Sequence, residues 1–433
     1  MALFRRLKTP EFCFSGTSLH PDLMPNSSMP PAVSSDGSAC LDTAIRQTAT
    51  SPFYATAEWQ AAFALRSPRL SDLPRITKSQ LREHSPEGFL PAGISLKDLL
   101  ARGLIEEEST SGTSGASVRV VFSQTWWGEQ ERRALIRNPF LARLLGEKTS
   151  LRRAVLTTPG CSGVSCYNRW LNLEQRTLGD SLFVNQSRIP FTLGEEKLAG
   201  MAKEVADWAP AALDVDPVHG AWFALHCERH GLRFPSLRFI LTSYEYTSVV
   251  HRAIMERVFG VPVINLYGSS ETGHLLIEHD GAMLPSPETA ILESTATDGI
   301  GELLVTTLTN PYLPLLRYES GDYVEHTANG FAVHGRKRDA LRAADGRTLT
   351  TRMIDQCFTD VTGIAHYQLR QKADCSAHLF LLPAVEGDDL TSAQAKLTSE
   401  LGSILGANVT TESVGLIAPE DSGKFRLTVR EAA

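Results

Sequence analysis

Between Leu237 and Leu266 the chain switches hydrophobic period twice. Leu237–Thr242 (LRFILT) is a short apolar run of the kind that forms a buried strand. In Val249–Phe259, Val250, Ile254 and Val258 recur at fourfold spacing, which is one face of a helix. Val261–Leu266 (VPVINL) is strand-like again. Strand, helix and strand within about 30 residues predict a βαβ crossover, because parallel neighbours cannot be joined by a hairpin. Gly301–Leu308 (GELLVTTL) predicts another strand, in a smaller and more β-rich portion.

Beyond about residue 336 the pattern changes. Met353–Val361 reads as helical, His366–Arg370 and His378–Pro383 as strands, Leu390–Ile404 as an amphipathic helix and Val414–Ala418 as a further strand. That order fits a small α+β domain. At the other end, residues 1 to about 45 are rich in Ser, Pro and Gly, with too little apolar area to offset the entropy lost on ordering. A mobile tail is expected there, with order beginning near Ser51-Pro52-Phe53-Tyr54. The expected fold is α/β: a tail over 1–48, a large N-terminal domain with a parallel sheet over 49–335, and a small mobile C-terminal domain over 336–433. A chain of 433 residues is too long for one ordinary core, which agrees with two domains.

Composition narrows the partners more than the fold. The formal charge of −7 is modest and lacks the clustered Lys and Arg of a nucleic-acid surface. Outside Gly335–Asp339, basic residues come as short pairs such as Arg132–Arg133 and Arg152–Arg153, read as solvated helix faces. Seven cysteines are scattered without a CxxC pair, and Cys161 and Cys166, the two nearest, have no matching pair at zinc-site spacing. A reduced, cytoplasmic protein is expected. No apolar run approaches the roughly 18 residues that span a bilayer, and Met-Ala-Leu-Phe-Arg-Arg-Leu at the start does not resemble a signal peptide. Neither nucleic acid nor a membrane is an expected partner; a small molecule is, with the chain a monomer or homodimer.

Five polar clusters carry the candidate chemistry. In Ser109-Thr110-Ser111-Gly112-Thr113-Ser114-Gly115, glycines let backbone N–H groups turn inward and hydroxyls add donors, which suits a triphosphate. A Ser/Gly linker would look similar, but the strand-like Val118–Phe122 follows at once. Asn265-Leu266-Tyr267-Gly268-Ser269-Ser270-Glu271-Thr272-Gly273 closes the strand Val261–Leu266, and loops at the carboxyl ends of parallel strands are where α/β folds bind ligands. Tyr267 can stack a purine and Glu271 can hold Mg²⁺ on phosphates. Leu316–Asp322 (LRYESGD) brings Asp322, whose two acceptor oxygens suit a ribose diol, and Gly335–Asp339 (GRKRD) brings the charged donors of Arg336. Lys424, in Asp421-Ser422-Gly423-Lys424-Phe425-Arg426, would by itself pass as a solvated terminal lysine.

Taken in order, Ser/Thr/Gly loop, Tyr-Gly-x-Ser-Glu, Arg-Tyr-x-x-Gly-Asp, Gly-Arg-x-x-Asp and Ser-Gly-Lys resemble the core motifs of the adenylate-forming superfamily. The phenylacetate–CoA ligase branch is the most similar in style, through SPFY, residues 71–89 (SDLPRITKSQLREHSPEGF) and residues 301–322 (GELLVTTLTNPYLPLLRYESGD). The resemblance runs from about residue 50 to 430. It implies ATP-dependent activation of a carboxylic acid, expected to be aromatic, to an acyl-adenylate with release of pyrophosphate. It also implies that Ser111, Gly112, Thr113, Ser114 and Gly115 hold the β- and γ-phosphates, while Tyr267, Gly268 and Ser270 lie at the adenine. Glu271 would bind Mg²⁺, Asp322 the ribose hydroxyls, and Arg336 ribose or phosphate. Lys424 would bridge the carboxylate and the α-phosphate, and the small domain would swing about residues 335–339 between two half-reactions.

The sequence departs from that pattern in places. Ala116-Ser117 follow the phosphate loop where Lys-Pro is usual, removing a cation, and Arg338 occupies the hinge position. Arg342-Ala343-Ala344-Asp345-Gly346-Arg347 keeps one glycine where the family often has paired glycines near the pantetheine channel. CoA, an acyl carrier protein and an amine therefore all stand as acceptors, and a scaffold that has lost catalysis stands as the non-enzymatic alternative. For the acid pocket the resemblance implies Ser243, Tyr244 and Glu245, with Tyr244 reshaping the cavity and adding a hydroxyl. Gly268 and His274 border the same pocket. His274, Glu278 and His279 form a weaker metal candidate, and Trp126-Trp127 reads as core packing.

Overall fold

In the computed structural model, which describes residues 37–109, 117–147, 151–157 and 171–431, the crossover takes shape as expected. Phe239–Thr242 leads through the helix Val249–Phe259 to Val263–Ser269, and the two strands are parallel neighbours. Ser248 starts the helix by accepting the Val250 N–H at 3.1 Å, which satisfies one of the donors a first turn leaves over. Val250, Ile254, Met255 and Val258 are then buried on one face.

Five strands form the parallel half of the sheet: Ser181–Phe183, Arg153–Leu156, Ala212–Val215, Phe239–Thr242 and Val263–Ser269. Every residue of Ala212–Val215 and Phe239–Thr242 is buried, the signature of strands covered on both faces. Past Val263–Ser269 the sheet turns antiparallel. It continues through Gly273–His279, Ala282–Pro285, Gly330–Arg336, Tyr318–Thr327, Ile300–Thr307 and Ala290–Ser294, and with Thr177–Leu178 at the far edge it counts twelve strands. The strand foreseen at Gly301–Leu308 is Ile300–Thr307, in this antiparallel half.

A four-stranded sheet forms the C-terminal part, in the order Val409–Ser413, Ala377–Pro383, Ile364–Gln371, Thr428–Arg430. The helix Thr391–Leu405 covers it with fully buried Leu397, Leu401 and Leu405. The helix expected over Met353–Val361 is shorter and runs Thr351–Asp355, followed by a 3₁₀ turn over Gln356–Phe358. Asp355 ties this part to the crossover helix by accepting from Ser248 Oγ at 2.5 Å and from the Val249 N–H at 2.9 Å. No helix among the described residues is long and apolar enough to cross a membrane.

Three expectations are corrected. Val414–Ala418 is irregular; the strand is the preceding Val409–Ser413, an edge strand in which only Val409 is buried, so it shows no apolar alternation. Residues 37–48, assigned to a tail, form the helix Gly37–Thr48. Leu41, Ala44 and Ile45 lie on one face of it and pack among Tyr54, Trp59 and Phe89. Three apolar residues are enough once a partner surface exists. Arg153 lies on a strand, not a helix face, and its guanidinium is buried against Glu131.

Candidate active site

The Tyr-Gly segment straddles the turn between the last parallel strand, Val263–Ser269, and its antiparallel neighbour Gly273–His279. A bulge falls between Tyr267 and Gly268, after which Gly268 faces His274 and Ser269 faces Gly273. A side chain at 268 would sit 2.2 Å from the Gly273 carbonyl oxygen, so the close approach of the two backbones requires glycine there. Gly273 has φ +74° and lies against Trp126. The turn delivers Glu271 into the protein at 5% exposure.

Glu271 is ionised despite its burial. Burial works against the charge. Lys78, whose Nζ lies 3.1 Å from Oε1, outweighs it together with backbone and Ser269 hydrogen bonds, and the carboxyl is held below its ordinary range. Lys78 was not singled out in the sequence, where a lone lysine carries no signal. A buried, ionised carboxylate is a fitting donor for a hard divalent cation, and Glu271 is the residue here that would hold Mg²⁺.

Asp322 and Arg336 are cross-strand partners in the antiparallel half. Tyr267 donates its hydroxyl to Asp322 Oδ2 at 2.7 Å, joining the two halves of the sheet at this point. Burial disfavours the Arg336 cation, but Asp322, Asp339, Glu271 and Glu420 more than compensate and raise its pKa. Tyr267, Glu271, Asp322 and Arg336 therefore meet in one place, although the chain separates them widely. Ser270 opens the turn, and the exposed Gly268 lies just before it on the strand.

Ser243, Tyr244 and Glu245 follow the strand Phe239–Thr242 at its carboxyl end. Ser243 is buried, and Tyr244 is 41% exposed with φ +72°, a strained backbone for a bulky residue. Glu245 accepts the Phe425 N–H at 2.7 Å. This bond brings the C-terminal Ser-Gly-Lys segment to the Ser243–Glu245 stretch, with the half-buried Lys424 next to it. Burial and Asp216 raise the Glu245 carboxyl well above its usual range, opposed by the Phe425 N–H and by Lys424. Arg338 and Asp339 are knitted to the same segment: Arg338 contacts Glu420 at 2.8 Å and Arg426 contacts Asp339 at 2.6 Å.

His274 sits on the next strand, its ring edge-on to Trp127 with centroids 5.2 Å apart. Burial lowers its pKa, so the imidazole is neutral. The structure does not gather His274 with Glu278 and His279. Glu278 pairs with Arg252 at 2.5 Å and His279 with Asp280 at 3.3 Å. Trp126 packs in the core, stacked on Phe122.

Beneath these residues lies a buried charge cluster that sequence reading missed. Glu131, on the helix Trp126–Leu135, and Arg153, on the strand Arg153–Leu156, pair at 2.5 Å with 12% side-chain exposure each. Asp214 lies on the adjacent strand. Burial pushes its carboxyl up to about 7, Arg153 opposes the rise, and Glu131 and Asp216 add to it. The phosphate-loop residues Ser111, Gly112, Thr113, Ser114 and Gly115 lie outside the described residues; the antiparallel strands Ile105–Ser109 and Arg119–Ser123 bracket them.

No family model and no curated protein matches the chain. Solved structures do. A 2-hydroxyisobutyryl-CoA ligase in the postadenylation state with 2-HIB-AMP aligns at TM-score 0.65 and 16% identity, covering 91% of this chain and 89% of that one. An open conformation of a 2-hydroxyisobutyryl-CoA ligase with 2-HIB-AMP and CoA gives 0.53 at 16% identity, over 91% and 90%. An anthranilate–CoA ligase in complex with anthranoyl-AMP gives 0.54 at 16% identity, over 74% and 64%. At such identity the likeness is one of architecture, and the architecture of this chain is the adenylate-forming enzyme fold.

Proposed function

We propose that the protein is an AMP-forming ligase that activates a carboxylic acid with ATP, releases pyrophosphate, and passes the acyl group to coenzyme A. The observation that carries this reading is the convergence of Tyr267, Glu271, Asp322 and Arg336, with Lys424 brought to Glu245 at the mouth of the neighbouring strand. In the first step a substrate carboxylate oxygen attacks the α-phosphorus, the bond to the β-phosphate breaks, and pyrophosphate leaves. Negative charge gathers on the α-phosphate oxygens, and fixed cations aimed at it supply most of the acceleration. Lys424 takes that part, Arg336 and Asp322 orient the ribose and phosphate, and Tyr267 lies along the purine. Mg²⁺ held by Glu271 would neutralise the phosphates. In the second step a thiol sulfur attacks the acyl carbonyl and AMP departs, so no covalent enzyme intermediate is needed.

An aromatic acid suits the flat, partly polar side chains in this region: Trp127 lies edge-on to the neutral His274, and Tyr244 and His274 both lie near Arg153. The CoA ligases among the structural neighbours support CoA as acceptor. Movement of residues 336–433 about Gly335–Asp339 would change the lobe from the first step to the second, and a reduced cytoplasmic setting fits the scattered cysteines.

The test is acid-dependent ATP–pyrophosphate exchange across a panel of aryl and alkyl acids, then the same acids with CoA. Exchange with at least one acid and a thioester in the presence of CoA are expected. Absence of exchange across the panel overturns ligase activity. Exchange without thioester moves the acceptor to a carrier protein or an amine.

A further inference from the structure

At the C-terminal end of the helix Pro217–Arg229 the structure gathers a second set of reactive side chains. His226 and His230, in His-Cys-Glu-Arg-His, are four positions apart and so share one face of the helical turn. Their ring centroids are 4.6 Å apart. Glu195, the first residue of the helix Glu195–Trp208, reaches across to them, with Oε1 3.3 Å from His226 Nδ1 and 2.5 Å from His230 Nε2. One donor atom from each of the three residues falls within 4.8 Å of the others.

We propose that Glu195, His226 and His230 form a divalent transition-metal site that takes Zn²⁺. Two imidazoles and a carboxylate are a donor set for zinc, with a fourth position left to water. Magnesium and calcium require oxygen donors and are not served by it. Around a tetrahedral zinc with bonds of about 2.0–2.2 Å, donors stand roughly 3.4 Å apart. The His226–Glu195 separation already matches that spacing. His230 and Glu195, with side chains 48% and 58% exposed, are free to make the remaining adjustment by changing rotamer.

His226 distinguishes this site from an ordinary surface ion pair. The close contact between Glu195 and His230 accounts for those two exposed groups without any metal. His226 is 1% exposed, and neither of its ring nitrogens makes an aligned hydrogen bond. A buried imidazole whose Nδ1 lies 3.3 Å from a carboxylate oxygen without an aligned hydrogen bond is uncommon and calls for an explanation. A metal ion at the meeting point of the three side chains supplies it. The site joins the start of one helix to the end of the next, while Asp216, at the other end of Pro217–Arg229, lies near Glu245. It is therefore a structural clamp separate from the nucleotide-binding residues, and it stands whether or not the ligase reading does.

The experiment uses the full-length, tag-free chain stripped with chelator. Zn²⁺ is titrated by calorimetry, and Co²⁺ is added as a visible-absorption probe. One Zn²⁺ per chain and a Co²⁺ spectrum of four- or five-coordinate intensity are expected, with a rise in melting temperature on Zn²⁺ addition. His230→Ala and Glu195→Gln alter exposed side chains, keep the wild-type circular dichroism, and weaken Zn²⁺ binding at least tenfold. The proposal is overturned if wild type takes up no stoichiometric zinc, or if both variants bind it as wild type does.

Discussion

Asp214→Asn is the most informative single change, because the folded protein disfavours this carboxylate. The ordinary value is 3.8, and burial among Glu131 and Asp216 pushes it up to about 7. The folded state therefore holds the proton more tightly than the unfolded state does, and stability falls as pH rises between those two values. The whole penalty, about 3 pH units at about 1.4 kcal/mol each, is about 4 kcal/mol and is in full force above the folded value. Between pH 5.5 and pH 8, summing over both protonation states leaves a loss of about 2 kcal/mol. Asparagine cannot ionise, so the variant lacks that loss while retaining the Glu131–Arg153 pair. The assay is urea unfolding of both proteins at pH 5.5 and 8, followed by tryptophan fluorescence. The variant should gain about 2 kcal/mol on wild type between the two conditions. Parallel pH profiles would show that the carboxyl is not held neutral by its surroundings, and the electrostatic description of the Glu131–Arg153–Asp214 cluster would fail with it.

Glu131→Gln should destabilise the protein by about 3–5 kcal/mol, since it strands the buried Arg153 guanidinium; a loss below about 1 kcal/mol in urea unfolding would mean that water reaches the pair. Lys424→Ala should lower acid-dependent pyrophosphate exchange by at least about a hundredfold, as loss of a charge-stabilising donor does. The folded state should be unaffected, because the Phe425 N–H still bonds Glu245. Exchange at the wild-type rate would remove Lys424 from the chemistry.

How much of this was legible depends on where the information resides. The crossover helix Val249–Phe259 could be read to the residue, because its buried face repeats within a single segment. Tyr267, Glu271, Asp322 and Arg336 could be singled out because each lies in a short polar run that packing does not explain. The edge strand Val409–Ser413 could not, since its one buried side chain leaves no period to detect. Arg153 looked like Arg132, which does lie exposed on a helix; only the approach of the helix Trp126–Leu135 to the strand Arg153–Leu156 makes one of them a buried ion. Lys78 beside Glu271 and the trio Glu195, His226 and His230 are contacts between distant segments of the same kind.

The carboxyl groups of the site divide by surroundings into two kinds. Glu271 has Lys78 at 3.1 Å and stays ionised below its ordinary range. Glu245 and Asp214, buried beside other carboxylates, are pushed upward instead. On the proposed reading this division matches what each side must bind. The nucleotide side needs a fixed anion to hold a cation against phosphates. The acid side must admit a substrate carboxylate next to Lys424, and an ionised Glu245 would repel it and compete for the lysine. Burial and Asp216 shift Glu245 towards the neutral form, which does neither and can donate a hydrogen bond. Two carboxyl groups of one chain are thus pushed in opposite directions by burial and neighbours alone. Glu245 also takes the Phe425 N–H at 2.7 Å, a bond that opposes the upward shift and fixes the carboxyl through the backbone beside Lys424.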